Sequence, residues 1–437
     1  MAIAELAAAP TRANSMAKIG LICVAATSVE WYDFFIYGTA AALVFPKLFF
    51  PATLPPLVAQ LASFSTFAVG FIARPVGGML FGHFGDVIGR KRTLVAALVM
   101  MGLSSALVGM LPSYARIGAA APLLLVVLRF CQGLAIGGQW GGAALVAVEN
   151  APWDKRGLYG SLPQLGVPAG MVLANTVFLF MTARVSSDAF ASWGWRIPFA
   201  LSLLLVVIGL YVQGQLEETP EFRGAIQGAD KPVRRARSPV LQVLARHPRE
   251  VLLAAGSFVA VNGSFYLLTT FAVAYGATTL HLPRSEILWA VLVSAIVVSP
   301  VIVLAGAASD RFGRRAVYVA GGVVGMLGAF LAWRLIDTGA FPLILLGLFV
   351  AFLGNSLMYG PQPALFSELF PAEFRYSGAS IGYQLAAILG GGFAPMIATA
   401  VMERFHASIY IAGYTAVLYA ISLISTLLLL RARQPSG

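Results

Sequence analysis

Long apolar stretches alternate with short polar ones along the whole chain. Broken at Pro, Gly and charge clusters, the pattern predicts twelve helical spans, at 19–46, 57–82, 94–112, 121–148, 158–182, 196–216, 251–279, 286–308, 316–336, 341–366, 378–402 and 409–430. A helix rising about 1.5 Å per residue crosses a hydrocarbon core of about 30 Å in roughly 20 residues, the length these runs have. One long polar interruption, Arg223 to Glu250, falls at the middle of the chain. It divides the spans six and six, predicting an N-terminal bundle over 1–222, a basic linker over 223–250 and a C-terminal bundle over 251–437.

Charge then orients the spans. An even number of crossings puts both termini on one side, and the polar loops alternate between sides. Of the 29 Lys and Arg residues, twenty fall on the side of the termini and seven on the other, while Arg74 and Arg129 lie within spans. By the positive-inside bias, the termini and the basic loops are expected in the cytoplasm. The linker's arginines then read as an orientation signal resting on anionic lipid rather than a nucleic-acid site, although the formal net charge is +11. A composition of 59% hydrophobic and 11% charged residues excludes a soluble domain. The first run carries Glu30 and Asp33, so it is read as a retained span and not a cleavable signal. Cys23 and Cys131 both lie in spans, which argues against a disulfide or zinc framework. The four histidines, His83, His247, His281 and His406, sit at span ends or in loops without metal or nucleophile spacing. No enzyme activity and no cofactor is expected.

The two halves repeat each other. Gly82-His-Phe-Gly-Asp86-Val-Ile-Gly89-Arg90-Lys91 follows the second span, and Gly306-Ala-Ala-Ser-Asp310-Arg311-Phe-Gly313-Arg314-Arg315 follows the eighth. Glu149 precedes Arg156 by seven residues after the fourth span, as Glu368 precedes Arg375 after the tenth. Two matched pairs at nearly one offset indicate duplication. Gly82 and Gly306 let helices approach closely, Asp86 and Asp310 suit a helix start or a nearby Arg, and the basic cluster retains the loop. These residues are the expected conformational loops.

Chemistry concentrates in mid-membrane. Glu30, Asp33 and Tyr37 are three and four apart and share a helix face, which must point into protein or water rather than lipid. The fourth span carries Arg129, Gln132, Ile136 and Gln139 as a polar stripe, beside a packing stripe of Gly133, Gly137 and Gly141. A buried guanidinium needs an anion, supplied to Arg129 by Asp33 or by substrate. Arg74 reads as structural, paired to Glu30 or supporting the loop at Asp86. Asn262, Tyr266, Asn355, Tyr359 and Gln384 in the second half are expected to orient substrate with Arg129, Tyr37, Gln132 and Gln139. Gly390-Gly391-Gly392 with Pro395, and Pro163 with Pro168, are expected to bend the eleventh and fifth helices.

The doubled loop, the Arg129-Phe-Cys-Gln132-Gly133 run and the central basic linker resemble the major facilitator superfamily. Glu30-Trp31-Tyr32-Asp33-Phe34, Arg74-Pro75-Val-Gly77-Gly78, Gly137-Gly138-Gln139-Trp140-Gly141-Gly142, Ser367-Glu368-Leu-Phe370-Pro371 and Phe374-Arg375-Tyr376-Ser377-Gly378 are similar to its metabolite:proton symporter group. Val87 stands where that pattern usually has Arg or Lys, and Gln139 where it usually has Glu. The resemblance implies an all-α membrane protein with twelve transmembrane helices in two pseudo-symmetric six-helix bundles, rocking around a central site. It further implies proton-coupled uptake of a small organic metabolite; the two intramembrane arginines tilt the expectation to a carboxylate, with Asp33 and Glu30 as the expected proton-coupling groups. Alternatives are an efflux antiporter and an importer of a zwitterion such as betaine or proline. The expected partners are substrate, protons and the lipid bilayer of an inner membrane, with the monomer as the working unit.

Overall fold

A computed structural model describes residues 16–88, 90–137, 148, 151–214, 248–369 and 375–431; the basic linker up to residue 247 lies outside them. Twelve long helices follow one another among the described residues. They are α1 (Met16–Leu43), α2 (Pro56–Ile88), α3 (Arg90–Met110), α4 (Ala120–Gly137), α5 (Trp153–Arg184) and α6 (Ile197–Gly214). The second six are α7 (Pro248–Thr278), α8 (Arg284–Phe312), α9 (Arg314–Ile336), α10 (Phe341–Glu368), α11 (Ile381–Phe405) and α12 (Ile409–Arg431). Nine are long and apolar enough to cross a membrane. The others, α1, α3 and α6, have 28, 21 and 18 residues, enough length for the remaining crossings. The protein is a multi-pass membrane protein.

Helix neighbours repeat with an offset of six. In the first set α1 packs on α5 and α6, α2 on α4, and α3 on α4 and α6; in the second α7 packs on α11 and α12, α8 on α10, and α9 on α10 and α12. The sets meet where α5 lies against α8 and where α2 lies against α11. Lipid offers no hydrophobic gain for such contacts, so small residues and close backbones must supply them. The α2–α4 seam shows this best. A Cβ on Gly137 would stand 1.9 Å from the Arg74 carbonyl oxygen, and one on Gly133 would stand 2.1 Å from that of Gly70. Gly133 and Gly137 of the predicted stripe thus fix α4 against α2, Gly141 lying outside the described residues, and this contact brings the two intramembrane arginines onto one surface.

Two helices depart from α geometry at mid-depth. In α7, residues Leu267–Phe271 form a π-helical turn, and in α11 residues Ala387–Gly392 form another. The glycine run expected to bend α11 therefore widens it by one residue per turn. That extra residue is useful here: Gly391 and Gly392 receive the Phe71 ring of α2, whose atoms would lie 2.7 and 3.3 Å from a Cβ at those positions. Pro163 likewise opens a 3-10 turn, Pro163–Leu165, within α5. The interior between the halves is aromatic, with Phe34, Phe67, Phe71 and Tyr266 at centroid separations of 5.0–5.7 Å.

The α2–α4 contact makes a direct prediction. Gly137→Leu inserts a branched side chain where a carbonyl oxygen already sits, an overpacking cost of about 2 kcal/mol or more. Purified protein is expected to melt several degrees lower and to lose monodispersity in detergent. Unchanged melting would contradict the seam.

Candidate functional site

The polar centre is built from α1, α2 and α4. Arg129 is fully buried, with its guanidinium carbon 4.1 Å from the Tyr37 ring centroid, 4.3 Å from Phe34 and 4.8 Å from Phe67. Arg74, at 1% exposure, stacks in the same way on Phe34 and Phe71, both at 4.5 Å, and on Trp31 at 5.7 Å. Phe34 is the ring shared by both cations. Gly70 makes room for this: a Cβ there would lie 2.5 Å from Arg129 Nε. Cation–π contact compensates part of the lost hydration, about 2 kcal/mol per site when desolvated, but gives the N–H groups nothing to bind. Nε and Nη2 of both arginines have no hydrogen-bond partner.

Carboxyl groups are near but unpaired. Asp33 is 1% exposed and neither of its oxygens is hydrogen-bonded; Glu30 Oε1 is buried without a partner too. Among the described residues, Asp33 forms no ion pair with Arg129 and Glu30 forms none with Arg74. The depth of these groups was readable from the sequence; the rotation of each helix about its axis was not. Arg129 Nη1 instead donates to Gln132 Oε1 at 3.0 Å, one turn along its own helix, and Tyr37 donates to Thr66 Oγ1 at 2.8 Å.

A narrow cavity of about 40 Å³ adjoins this centre. Its walls are Trp31 of α1, Pro168 and Met171 of α5, Asn262, Phe265 and Tyr266 of α7, Ser299 of α8, Phe352, Asn355 and Tyr359 of α10, and Tyr383 of α11. No charged side chain among the described residues lines it. Arg74 lies within electrostatic reach of Tyr266 and Tyr383, so two rings of the wall stand next to a buried cation.

Comparison with known proteins agrees with this architecture. Residues 19–238 match the family model "Sugar (and other) transporter", and residues 253–437 match "Major Facilitator Superfamily". The chain is 42% identical to the inner membrane metabolite transport protein YhjE of Escherichia coli (strain K12), over 98% of this chain and 97% of that one. It is 41% identical to the shikimate transporter of the same organism, over 86% of each chain. Among solved structures it resembles the proton:xylose symporter XylE bound to 6-bromo-6-deoxy-D-glucose, with a TM-score of 0.74, 19% identity and 95% of each chain covered.

The chain belongs to the major facilitator superfamily.

This facilitator is therefore a membrane transporter and not an enzyme, and its cavity lies between two repeated six-helix halves. At the basic-loop end the halves are clasped. Asp310, near the end of α8, accepts hydrogen bonds from the backbone N–H groups of Gly157 and Leu158 in α5, both at 2.8 Å. These are the unsatisfied donors of a helical first turn, so the carboxylate caps a helix belonging to the opposite half. Arg314 holds that carboxylate at 2.5 Å and reaches Glu368 Oε1 at 3.3 Å. Gly313, at φ +88°, makes the sharp turn that sets Arg314 back over Asp310. Arg311 stacks on its neighbour Phe312, and Arg156 lies 4.2 Å over Trp153. Gly82 belongs to α2. The side chains of Asp86, Arg90 and Arg375, together with Gly89, Gln139 and Glu149, lie outside the described residues.

Of the second-half polar residues, Asn262, Tyr266, Asn355 and Tyr359 line the cavity and Gln384 does not. Asn355 Nδ2 is engaged by the Val261 carbonyl and Ser264 Oγ, at 2.8 and 2.9 Å, and Asn262 Nδ2 by the Phe258 carbonyl at 3.2 Å. Sequence reasoning missed Phe34, Phe67, Phe71, Trp31 and Tyr383, because an aromatic ring in a span carries no signal that separates core from cage. The spacing of four between Phe67 and Phe71, beside an intramembrane Arg three residues on, was the one available hint.

The clasp is testable in this facilitator. Asp310→Ala removes two charge-assisted bonds between halves, a loss of about 2 kcal/mol or roughly 30-fold in the closed-to-open ratio. Spin labels on α5 and α8 at this end should report a longer distance population in the variant. An unaltered distribution would contradict the clasp.

Proposed function

We propose that this transporter takes up a small organic carboxylate together with protons, as a monomer in a bacterial-type inner membrane with both termini in the cytoplasm. The observation that carries the reading is the pair of buried guanidinium groups flanking Phe34. Each has unpaired N–H donors and no carboxylate among the described residues bound to it. A cation at mid-membrane costs about 3 kcal/mol even with relief, and such groups mark substrate paths. A planar carboxylate supplies both the charge and the bidentate acceptor geometry that a guanidinium fork fits. The adjoining cavity, with aromatic and aliphatic walls and the Asn262 and Asn355 amides, suits the remainder of a small metabolite. The names of two relatives, a metabolite transport protein of the inner membrane and a shikimate transporter, support the same class.

Coupling follows from the two carboxyls. Asp33, buried without a donor, is a carboxyl whose charge acts on Arg129. With a proton on Asp33 the guanidinium is free for substrate; without it, the carboxylate competes for the same positive charge. Moving the proton and the substrate together then avoids carrying an uncompensated charge across the membrane. Glu30, in reach of Arg74, stands in the equivalent relation to the second cation.

A zwitterionic substrate is the second reading, and the cavity walls favour it. Trp31, Tyr266, Tyr359 and Tyr383 offer ring faces of the kind that bind quaternary ammonium groups. Thermal-shift screening of purified protein against shikimate, simple organic acids, glycine betaine and proline separates the two. Uptake of the best ligand into proteoliposomes under an imposed pH gradient then tests coupling. Asp33→Asn is expected to abolish gradient-driven accumulation while retaining counterflow, and Arg129→Lys to lower uptake at least tenfold. Undiminished accumulation in Asp33→Asn would remove Asp33 from the proton step. Normal transport by Arg129→Lys would remove the bidentate contact.

A further inference from the structure

The route by which Asp33 and Arg129 sense each other, given that they form no ion pair, runs through two side chains with no role so far. Arg129 Nη1 donates to Gln132 Oε1 at 3.0 Å, which turns the amide so that its Nε2 faces away from the cation. That Nε2 donates to Ser105 Oγ of α3 at 2.8 Å. A hydroxyl that accepts one hydrogen bond still has its own hydrogen to give. The Asp33 carboxyl, whose two oxygens lack donors, lies close to Ser105 and also to Ser202 of α6, itself a fully buried hydroxyl with no partner. All five side chains are at most 1% exposed, so no bulk water competes for these positions.

We propose that Ser105 and Gln132 are positioning residues that transmit the charge state of Asp33 to the Arg129 guanidinium through a one-directional hydrogen-bond chain. The two hydrogen bonds present both run from Arg129 towards Asp33, and the Ser105 hydroxyl is the last donor, given when Asp33 is ionised. A negative carboxylate takes the Ser105 hydrogen, draws Gln132 by its amide and holds Arg129 Nη1 in place. A protonated Asp33 has its own hydrogen to donate and no charge to be solvated, so the chain slackens and Arg129 can turn to an incoming anion. Chains of aligned donors polarise one another in a low-dielectric interior, which makes the coupling stronger than its separate bonds. Ser202, approaching Asp33 from a different helix, is the second donor for the ionised form. This inference rests on the reading of Asp33 as the proton-carrying group.

Infrared difference spectroscopy of purified protein across a pH titration tests both and needs no substrate. The carboxyl C=O band of Asp33 is identified as the one lost in Asp33→Asn. In Ser105→Ala the pH midpoint at which that band appears is expected to move up, since the ionised carboxylate loses a donor that the protonated form does not use, and in Ser105→Thr to return. In Gln132→Leu it is expected to move in the same direction, although Gln132 does not reach Asp33; a local contact between Ser105 and Asp33 alone would leave it still. Ser104→Ala, one residue away, is the control and should change nothing. A midpoint unmoved in either Ser105→Ala or Gln132→Leu, or moved equally in Ser104→Ala, would overturn the chain. Absence of any band lost in Asp33→Asn would instead overturn the proton-carrying reading itself, so the two failures are told apart.

Discussion

A guanidinium in the middle of a bilayer is expensive, and most of what is unusual in this protein is arranged around two of them. Arg74 and Arg129 are buried, paired with no carboxylate among the described residues and given ring faces instead. Ring faces stabilise the positive charge but leave the planar N–H edges unsatisfied. The result is a site that is solvated from the sides and open at the edges, a condition relieved by an anion arriving from outside. Phe34 matters more than any charged neighbour, because it is the ring both cations share and because it also meets Tyr266 of the other half, at 5.6 Å.

The remaining architecture keeps that arrangement in register. Glycine contacts between α2 and α4 set the separation of the cations, and Gly70 leaves the space that Arg129 occupies. The second half contributes rings, amides and hydroxyls but no charge to the centre, and it alone among the described residues contains π-helical turns. Such turns store an extra residue that can be absorbed when a helix slides, which is why they recur at functional sites. Charge chemistry and mechanical compliance are thus divided between the halves. Phe71 seated on Gly391 and Gly392 is where the two meet at mid-depth, and Asp310 capping the first turn of α5 joins them again at the basic-loop end.

Spans, repeat and family were legible because they depend on averages and spacings: hydropathy over twenty residues, and motifs such as Gly306 to Arg315 set against Gly82 to Lys91. Contacts within one helix were legible too; Arg129 and Gln132, three apart, do touch. Contacts between helices were harder, since equal depth does not fix rotation. Asp33 and Arg129 share a level yet turn towards different neighbours, the hydroxyls of Ser105 and Ser202 for one and a ring cage for the other. Arg74 looked structural because its nearest carboxylate in depth was Glu30; its surroundings of Trp31, Phe34 and Phe71 could not be inferred from residue types common in any span. The π turn at Ala387–Gly392 was foreshadowed by three consecutive glycines, whereas that at Leu267–Phe271 has no comparable signature.

The most direct test is the thermal stability of Arg74→Met in ligand-free detergent. A flexible, unbranched apolar side chain retains part of the packing on Phe34 and Phe71 while removing a charge whose Nε and Nη2 have no partner. If the cation is uncompensated until an anion binds, the variant melts above the parent protein even as transport is lost. A variant that melts below the parent would mean that the protein already satisfies Arg74 from within, and the need for an external anion would fall away.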